Sequence, residues 1–527
     1  MPDVIVIGGG HNGLVTAGLL AKRGLAVTML ERRDVVGGAA ITETPWGPDY
    51  KMTALSYVVS LMSPTVLNDL ELARFGYKIF PQHPYFVPHP DGRYLMMCDD
   101  PARKHEQIAK FSARDADEIV RWDAWLAKLA AVLGPMLTQV PPKLGSKRPK
   151  DLFAALGVAW KFRKLDEQGV ADVTRLMTMS VADLLDDHFE SDAVKGVLSV
   201  SGVIGTWAGP RSPGTAYVMA HHKMGDIGEG SGSMGAWGFP EGGMGGVTTA
   251  MRAAAEHFGA QIRTEAEVVK IKVSDGRATG VVLANGDELD AETIVTTTHP
   301  KITFLQHLDR ADLPDDFVTA IGRWKTRSGT VKVNLALDRL PEFTCKPGLD
   351  PEVHGGTIVL AHSLDDIEGA FQDAVAGQPA RLPFADICIP SVFDQTLAPP
   401  GHHVMSMFTQ WVPHEYADAP HATELDAYAD RLIARLEALA PGFTSSILHR
   451  QVLGPYEMEH TYGLIGGNIF HGELSANQLF HMRPAPGYAD FTTPIRGLYQ
   501  ASSATHGGGG VTGIPALQVV RKLKKLL

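Results

Sequence analysis

The stretch DVIVIGGGHNGLVTAGLLAKRGLAVTMLERRDVVGG, residues 3–38, decides the fold. Val4–Ile7 is a short apolar run of the kind that forms a fully buried parallel strand, and it stops at three successive glycines. A helix is predicted over about residues 12–23, and a second parallel strand over residues 26–30. Glu31 ends that second strand. Strand, glycine turn, helix, strand and acid in this order predict the βαβ unit of a dinucleotide-binding domain.

Each part of this unit has a predicted contact with the dinucleotide. Gly8 and Gly10 allow the backbone to bend and to approach a pyrophosphate, and Gly13 allows the helix to pack closely on the strand. The helix begins near Asn12, where free N–H groups and the helix dipole favour an anion. Glu31 is placed to accept hydrogen bonds from a ribose diol. We predict all five residues as cofactor-binding.

A second diglycine follows the acid. Gly37 and Gly38, with Ala39 beside them, allow the backbone to approach a phosphate from the other side. An extended flavin dinucleotide requires this more than a nicotinamide dinucleotide does. The pattern therefore favours FAD, and these three residues join the predicted cofactor contacts.

Arg32 and Arg33 leave an alternative open, because arginines after this strand can bind the 2′-phosphate of NADP. Glu31 would repel the same phosphate, so we rank NADP below FAD. Arg32 is retained among the predicted cofactor contacts.

Composition bounds the class of protein. With 527 residues and 44% apolar composition, the chain can bury two or more cores. The net charge of −11 argues against a nucleic-acid partner. Cys98, Cys345 and Cys388 lie far apart, which gives no support to a disulfide framework or a dithiol redox centre. Because the first strand begins at once and no long apolar run follows, we expect an intracellular, cytoplasmic protein without a membrane span.

The rest of the chain predicts an α/β protein whose doubly wound, Rossmann-type FAD-binding domain is built from discontinuous segments. We assign residues 1–75, 235–303 and 490–527 to that domain. Residues 76–234 are predicted to be a mostly helical cap, after a hairpin that turns at Asp91-Gly92, and residues 304–489 an α+β substrate domain with a mixed or antiparallel sheet. Within residues 202–246 we expect an ordered glycine-rich loop that approaches a ligand.

Two later segments are predicted to return to the cofactor. Short strands are predicted to be joined at Asp275-Gly276 and Asn285-Gly286. This segment resembles the part of flavin-binding domains that covers the adenine side, and the resemblance implies that Val268 contacts the adenine through its backbone. Near the C-terminus a strand, a glycine turn and a helix follow one another, and such a turn can bind a phosphate or the pyrimidine edge of a flavin. The predicted contacts in this turn are Gly508, Gly509, Gly510 and Val511.

Motifs along nearly the whole chain resemble the phytoene desaturase-like (carotenoid/retinoid) flavoproteins. They include the N-terminal signature, GAWGFPEGGMG, GLIGGNIFHGELSANQLF at 463–480 and GLYQASSATHGGGGVTG at 497–513. The resemblance implies FAD, and an oxidoreductase that transfers hydride from an apolar, polyene or lipid-like substrate to the flavin N5, or that isomerises it without net redox change. The alternative is a flavin-stabilised scaffold that binds a partner protein and has little or no turnover.

The resemblance places three polar residues near the flavin, namely Asn468, His471 and His506. We predict His506 as the catalytic acid or base, because a histidine pKa suits proton transfer near neutrality. Thr53, Ser56 and Tyr57 are further candidates for hydrogen bonds to the cofactor, although capping and core packing explain them as well. The histidine pair at 221–222 has no third ligand at metal spacing, so no metal site is predicted.

Residues 143–164, KLGSKRPKDLFAALGVAWKFRK, carry seven Lys and Arg residues against one Asp, a local net charge of +6. Two basic clusters flank an apolar, aromatic segment, which is the composition of an interfacial amphipathic helix. A helix with a solvated basic rim packed on the substrate domain explains the pattern equally well. If the segment is an interfacial helix, we expect it to bind reversibly to the inner face of an anionic membrane.

Overall fold

A computed structural model describes residues 1–224 and 237–524, without the side chain of Lys150. The middle of the predicted glycine-rich loop and the predicted boundary at 234–235 lie outside the described residues. The strands of the described part are β1 (Val4–Ile7), β2 (Val27–Leu30), β3 (Thr42–Glu43), β4 (Met52–Thr53), β5 (Ile79–Pro81), β6 (Tyr85–Pro88), β7 (Tyr94–Met97), β8 (Gly238–Pro240), β9 (Gln261–Arg263), β10 (Val268–Ser274), β11 (Arg277–Leu283), β12 (Glu288–Asp290), β13 (Thr293–Thr296), β14 (Thr330–Leu337), β15 (Thr357–Leu360), β16 (Phe384–Cys388), β17 (His403–Gln410), β18 (Ile447–Leu453) and β19 (Leu498–Gln500).

The helices follow the same chain order. They are α1 (His11–Ala21), α2 (Pro64–Asp69), α3 (Pro101–Ala109), α4 (Ala113–Leu137), α5 (Pro149–Phe162), α6 (Glu167–Thr178), α7 (Val181–His188), α8 (Asp192–Val203), α9 (Thr215–Lys223), α10 (Met244–His257), α11 (Pro300–Leu305), α12 (Asp315–Gly322), α13 (Pro351–His354), α14 (Leu364–Val375), α15 (Ala422–Leu439), α16 (Pro455–Tyr462) and α17 (Ile514–Leu523).

A parallel sheet of five strands, in the order β19-β13-β1-β2-β9, holds the βαβ unit at its centre. Every residue of β1 is buried, as expected of a parallel strand covered on both faces. Helices α10 and α17 pack beside α1 on one face. At Gly18 of α1 an added Cβ would lie 3.3 Å from the Cβ of Ala255, so glycine permits the close approach of α10. The strands of this sheet come from residues 1–75, 235–303 and 490–527.

A mixed sheet of seven strands, in the order β18-β14-β17-β16-β15-β6-β7, forms the core of the second unit. Its neighbouring strands run antiparallel except for β6 and β15, which pair in parallel through Phe86 and Ile358. The β6–β7 hairpin comes from the segment that we assigned to the helical cap. It joins this sheet because Phe86 and Val87 are fully buried there. Helices α3 to α9 follow the hairpin in the described part of that segment.

The antiparallel strands β10, β11 and β12 make a separate small sheet. Its two turns are the predicted ones, with Gly276 at φ +68° and Gly286 at φ +89°. Such positive φ values favour glycine, which explains the Asp-Gly and Asn-Gly pairs. Among the described helices, none is both long and apolar enough to cross a bilayer.

Candidate active site

One cavity of about 480 Å³ runs along the carboxyl edge of the parallel sheet and on to the seven-stranded sheet. Because parallel strands end at the same edge, the residues that follow β1, β2, β13 and β19 meet there. Gly8, Glu31, Thr297 and Ser503 come from these four strand ends, and all of them line the cavity. The sheet topology therefore creates the site.

The first glycine turn is tightly packed on one side and open on the other. Gly8 has φ +99°, and an added Cβ would lie 2.7 Å from Thr297 Oγ1. At Gly13 an added Cβ would lie 1.9 Å from the carbonyl oxygen of Gly8, so this glycine is needed for helix packing and does not line the cavity. Gly10 lines the cavity, and a Cβ there would meet no protein atom within 4 Å. The space beside Gly10 is therefore space for a ligand.

The second diglycine packs directly on this turn. The Gly37 N–H donates to the Gly9 carbonyl at 2.9 Å, and Gly37 forms a parallel bridge with Gly10. Gly37, Gly38 and Ala39 all line the cavity. Backbone therefore approaches the same point from two sides, beside the free N–H groups at the start of α1.

Glu31 is buried where the predicted ribose would lie. Its carboxylate accepts the Gly9 N–H at 2.6 Å and the Arg33 N–H at 2.9 Å. Val268, the first residue of β10, lines the cavity near it, because the Ala266 N–H donates to the Glu31 carbonyl at 2.8 Å. These bonds fix the carboxylate and bring the small antiparallel sheet to this end.

The two arginines that could bind a 2′-phosphate are held by protein groups. Arg33 forms an ion pair with Glu43 at 2.7 Å. Arg32 lines the cavity and donates to the carbonyls of His460 and Thr461 at 3.2 and 2.9 Å. With both cations engaged and Glu31 beside them, this end suits a free ribose better than a phosphorylated one.

The C-terminal glycine turn closes over the start of α1. Gly509, Gly510 and Val511 line the cavity, and the side-chain amide of Asn12 donates to Ser503 Oγ at 3.2 Å. Gly508 does not line the cavity. An added Cβ there would lie 2.3 Å from the Ser503 carbonyl, so its role is to allow the turn and not to contact a ligand.

The structure corrects the assignment of His506 as the catalytic residue. Its side chain lies outside the cavity, and Nε2 donates to the Met136 carbonyl at 2.9 Å. Burial lowers the pKa of His506 to about 4, so the ring is neutral and serves to join the glycine turn to α4. The sequence places His506 beside the glycines, but the tight turn directs its ring to the opposite side.

The other polar candidates separate into two groups. Ser56, Tyr57 and His471 line the cavity. Asn468 is fully buried outside it, where its amide oxygen accepts the N–H groups of Phe470 and Gly472. Thr53 Oγ1 accepts the Met244 N–H, also away from the cavity.

The polar chemistry along the sheet edge fits FAD. Several buried side-chain atoms there have no hydrogen-bond partner among the described residues, namely His11 Nε2, Asn12 Oδ1, His307 Nδ1 and His471 Nδ1. Buried polar atoms are normally paired, so these atoms are available to a polar ligand. Together with the two glycine turns and Glu31, they form a site for an extended dinucleotide.

Beyond the glycine turns the cavity becomes apolar and aromatic, which suits a ring system and an apolar ligand. The described residues lining this end include Leu61, Ile204, Trp237, Phe408, Ile469 and Phe470, with Tyr57. Tyr57 stacks on Phe408 with ring centroids 6.1 Å apart.

Lys332 is a functional candidate that our sequence reasoning missed. It lies in β14, where every residue is buried, and its side chain lines the aromatic end of the cavity. The amine donates to Ser406 Oγ and lies 4.2 Å from the centroid of the Tyr57 ring. Burial lowers the pKa of Lys332 from 10.5 to about 7. A buried amine that titrates near neutrality can accept and return a proton.

Strand register explains which groups surround this amine. Lys332 pairs with Phe408 of β17, and Phe408 pairs with Asp386 of β16, so the three side chains form a row on one face of the sheet. The Tyr57 hydroxyl donates to Asp386 Oδ2 at 3.2 Å. Burial raises the pKa of Asp386 to about 7. The row therefore holds two groups that exchange protons near neutral pH.

Glu31→Gln is expected to weaken FAD binding about tenfold, because the ribose would lose hydrogen bonds to a charged acceptor. The amide oxygen can still accept the Gly9 N–H, so the fold should persist. Titration of apoprotein with FAD measures this, with the exposed neighbour Asp34→Asn as the control. An unchanged dissociation constant for Glu31→Gln would contradict the assignment.

Comparison with known proteins gives two family matches. The NAD(P)-binding Rossmann-like domain matches residues 6–69, and the family described as flavin containing amine oxidoreductase matches residues 184–513. The second match spans more than half of the chain.

Two relatives and one solved structure extend over most of the chain. Pyridine nucleotide-disulfide oxidoreductase domain-containing protein 2 of Rattus norvegicus is 37% identical over 97% of this chain and 91% of the relative. Phytoene desaturase (lycopene-forming) of a Paracoccus species is 25% identical over 97% of this chain and 94% of its own. An oxidoreductase from Methanosarcina mazei, 16% identical, shares the fold with a TM-score of 0.61 over 98% of this chain and 99% of that chain.

Proposed function

Because the chain belongs to the flavin containing amine oxidoreductase family and is an FAD-dependent oxidoreductase, we propose that it acts on an uncharged, apolar substrate at the aromatic end of its cavity. The substrate class is a polyene, an isoprenoid or another lipid-like molecule. The reaction is a dehydrogenation, or an isomerisation without net redox change.

The distribution of charge in the cavity carries this proposal. Three carboxylates line the described cavity, Glu31, Glu267 and Glu459, and they lie at the dinucleotide end. At the aromatic end the ionisable group that lines the cavity beside Tyr57 is an amine, Lys332. The carboxylate of the same row, Asp386, does not line the cavity, and it accepts the Tyr57 hydroxyl. An ammonium substrate would therefore meet the like charge of Lys332 without direct contact to a carboxylate, whereas an uncharged apolar substrate avoids this repulsion. The family name alone would have suggested an amine.

A relative supports the same substrate class. The Paracoccus protein that aligns with nearly the whole chain is named for phytoene, an apolar polyene. At 25% identity this name supports the proposal together with the cavity, and does not replace it.

The chain's own residues have separable roles in this reaction. When bound, FAD would supply the hydride acceptor of this reaction. Lys332, neutral above a pKa of about 7, accepts a proton from the substrate side or returns one, and Ser406 orients its amine. Tyr57 and Phe408 bound the substrate space and exclude water from it.

A matched pair of ligands tests the proposal. The two ligands are a fatty alcohol and an alkylammonium ion of the same chain length, which differ in the charge of the head group. Perturbation of the flavin absorbance reports the binding of each to FAD-loaded protein. We expect the alcohol to bind at least about tenfold more tightly, and the gap to widen from pH 8 to pH 6 as Lys332 becomes protonated. Tighter binding of the ammonium at both pH values would overturn the proposal.

The rate of flavin reduction by substrate is expected to rise with pH through about 7. The neutral amine is the proton acceptor, and it is the minority form below the Lys332 pKa of about 7. Stopped-flow measurements between pH 6 and pH 8 check this. In Lys332→Met the residual rate should lose that dependence, and a wild-type rate that falls over this range would contradict the role of Lys332.

A further inference from the structure

Helix α5 turns four of its large apolar side chains away from the protein. None of its described residues is buried, although nine apolar or aromatic residues occupy it. The exposed fractions are 53% for Leu152, 72% for Phe153, 64% for Leu156 and 64% for Trp160. Leu144, just before the helix, is 60% exposed. A surface helix of a soluble domain normally shows the reverse arrangement.

Helical spacing places these side chains on one outward surface. Leu152, Leu156 and Trp160 recur every four residues, and Phe153 lies beside them. The half-buried positions that face the protein include Ala154, Ala155 and Val158, and Phe162 at the end of the helix packs against the core. The protein therefore presents a contiguous apolar ridge, which marks an interaction site.

Cations flank the ridge at both ends. Lys147 and Arg148 are exposed before the helix, and Arg163 and Lys164 are exposed after it, with Lys161 half-buried. Within the described residues no carboxylate lies within ion-pair distance of these five cations. The guanidinium of Arg163 lies 4.0 Å from the centroid of the Trp160 ring.

Lys143 differs from the other cations of residues 143–164, because its amine lies 3.3 Å from Asp490 Oδ2. It is therefore partly neutralised and does not belong to the basic rim. We define the docking helix as residues 147–164, with the apolar ridge of Leu152, Phe153, Leu156 and Trp160 and the five cations named above.

We propose that the docking helix binds the surface of an anionic lipid bilayer, with the ridge inserted at the level of the head groups. The basic residues at both ends would contact lipid phosphates, and Trp160 would lie at the interface between apolar and polar layers. A second copy of the chain is a poor occupant, because it would bring two basic rims together. This inference is independent of the proposed substrate, since it uses residues outside the cavity.

Co-sedimentation with vesicles of phosphatidylcholine alone, or with added phosphatidylglycerol, tests the docking helix. At low salt we expect binding to the anionic vesicles only, and release at about 0.5 M salt, where screening is short-ranged. Changing the five cations to Gln should weaken binding about tenfold or more. Changing the four ridge residues to Ser should weaken it comparably, because their apolar area would no longer be buried.

The matched control for the ridge is Leu349→Ser with Val375→Ser, since these residues are 64% and 54% exposed elsewhere on the surface. The control should bind like the wild type. Brominated lipids quench the fluorescence of tryptophans that insert into a bilayer. This quenching should be smaller in Trp160→Phe than in the wild type, and the difference reports insertion of Trp160 directly.

Four results would overturn the inference. They are equal binding to neutral and anionic vesicles, binding to neither, binding that the ridge variant retains in full, and a wild-type dimer in solution that the ridge variant abolishes. The last result would assign the ridge to a second copy of the chain.

Discussion

Gly10→Val is expected to give a folded protein that retains no FAD. Gly10 has an extended backbone, φ −69° and ψ 175°, which valine adopts without strain. An added Cβ at Gly10 meets no protein atom within 4 Å, so the new side chain does not disturb the core. It would instead fill the space beside the free N–H groups of α1, which is the predicted pyrophosphate site.

The flavin absorbance and the circular dichroism of the purified variant measure these two effects separately. Gly369→Val is the matched control, because this glycine also has open space around it and lies on an exposed part of α14. Gly13→Ala should behave differently and lose the fold, since its Cβ would clash with the Gly8 carbonyl. A Gly10→Val protein with full flavin absorbance would contradict the cofactor site.

Lys332→Met is expected to reduce turnover by about 10² to 10⁴ while raising the melting temperature. The loss follows from removal of the proton acceptor. The gain follows because burial holds the Lys332 pKa near 7, below its unfolded value of 10.5. The folded chain therefore binds fewer protons at this residue between pH 7 and pH 10.5, so its contribution to stability rises with pH across that window.

At pH 7 burial of the amine still lowers the free energy of unfolding by nearly the full amount. Methionine has a similar volume and carries no ionisable group, so the substitution removes this cost. Thermal unfolding at pH 7 and pH 9 should show the variant more stable at both, with the smaller difference at pH 9. FAD content should not change. Lys346→Met is the control, because Lys346 is ion-paired with Asp350 near the surface. Wild-type turnover in Lys332→Met would remove Lys332 from the mechanism.

The local parts of the site could be predicted from sequence. The βαβ unit depends on residues close together in the chain. The glycines of its turn are required where a side chain would clash with the protein or fill the ligand space, so their spacing is visible in the sequence. The hairpins at Asp275-Gly276 and Asn285-Gly286 were predictable for the same reason, because the turn type selects those pairs.

The aromatic end of the site was not predictable in this way. Lys332, Phe408 and Asp386 become neighbours through strand register, which no local pattern specifies. A signal was nevertheless present, because Lys332 is the one charged residue of β14 and Asp386 is the one charged residue of β16. His506 shows the opposite error, since proximity in sequence to the glycine turn did not bring its ring to the cavity.

The most direct test of the account is anaerobic reduction of the FAD-loaded enzyme. Polyenes and isoprenoids dispersed in detergent, and aliphatic primary amines, are added in parallel, and the loss of flavin absorbance is followed for the wild type and Lys332→Met. We predict that an uncharged apolar compound bleaches the wild type, that Lys332→Met responds far more slowly, and that the amines have no effect. Bleaching by an amine, with none by any apolar compound, would contradict the account.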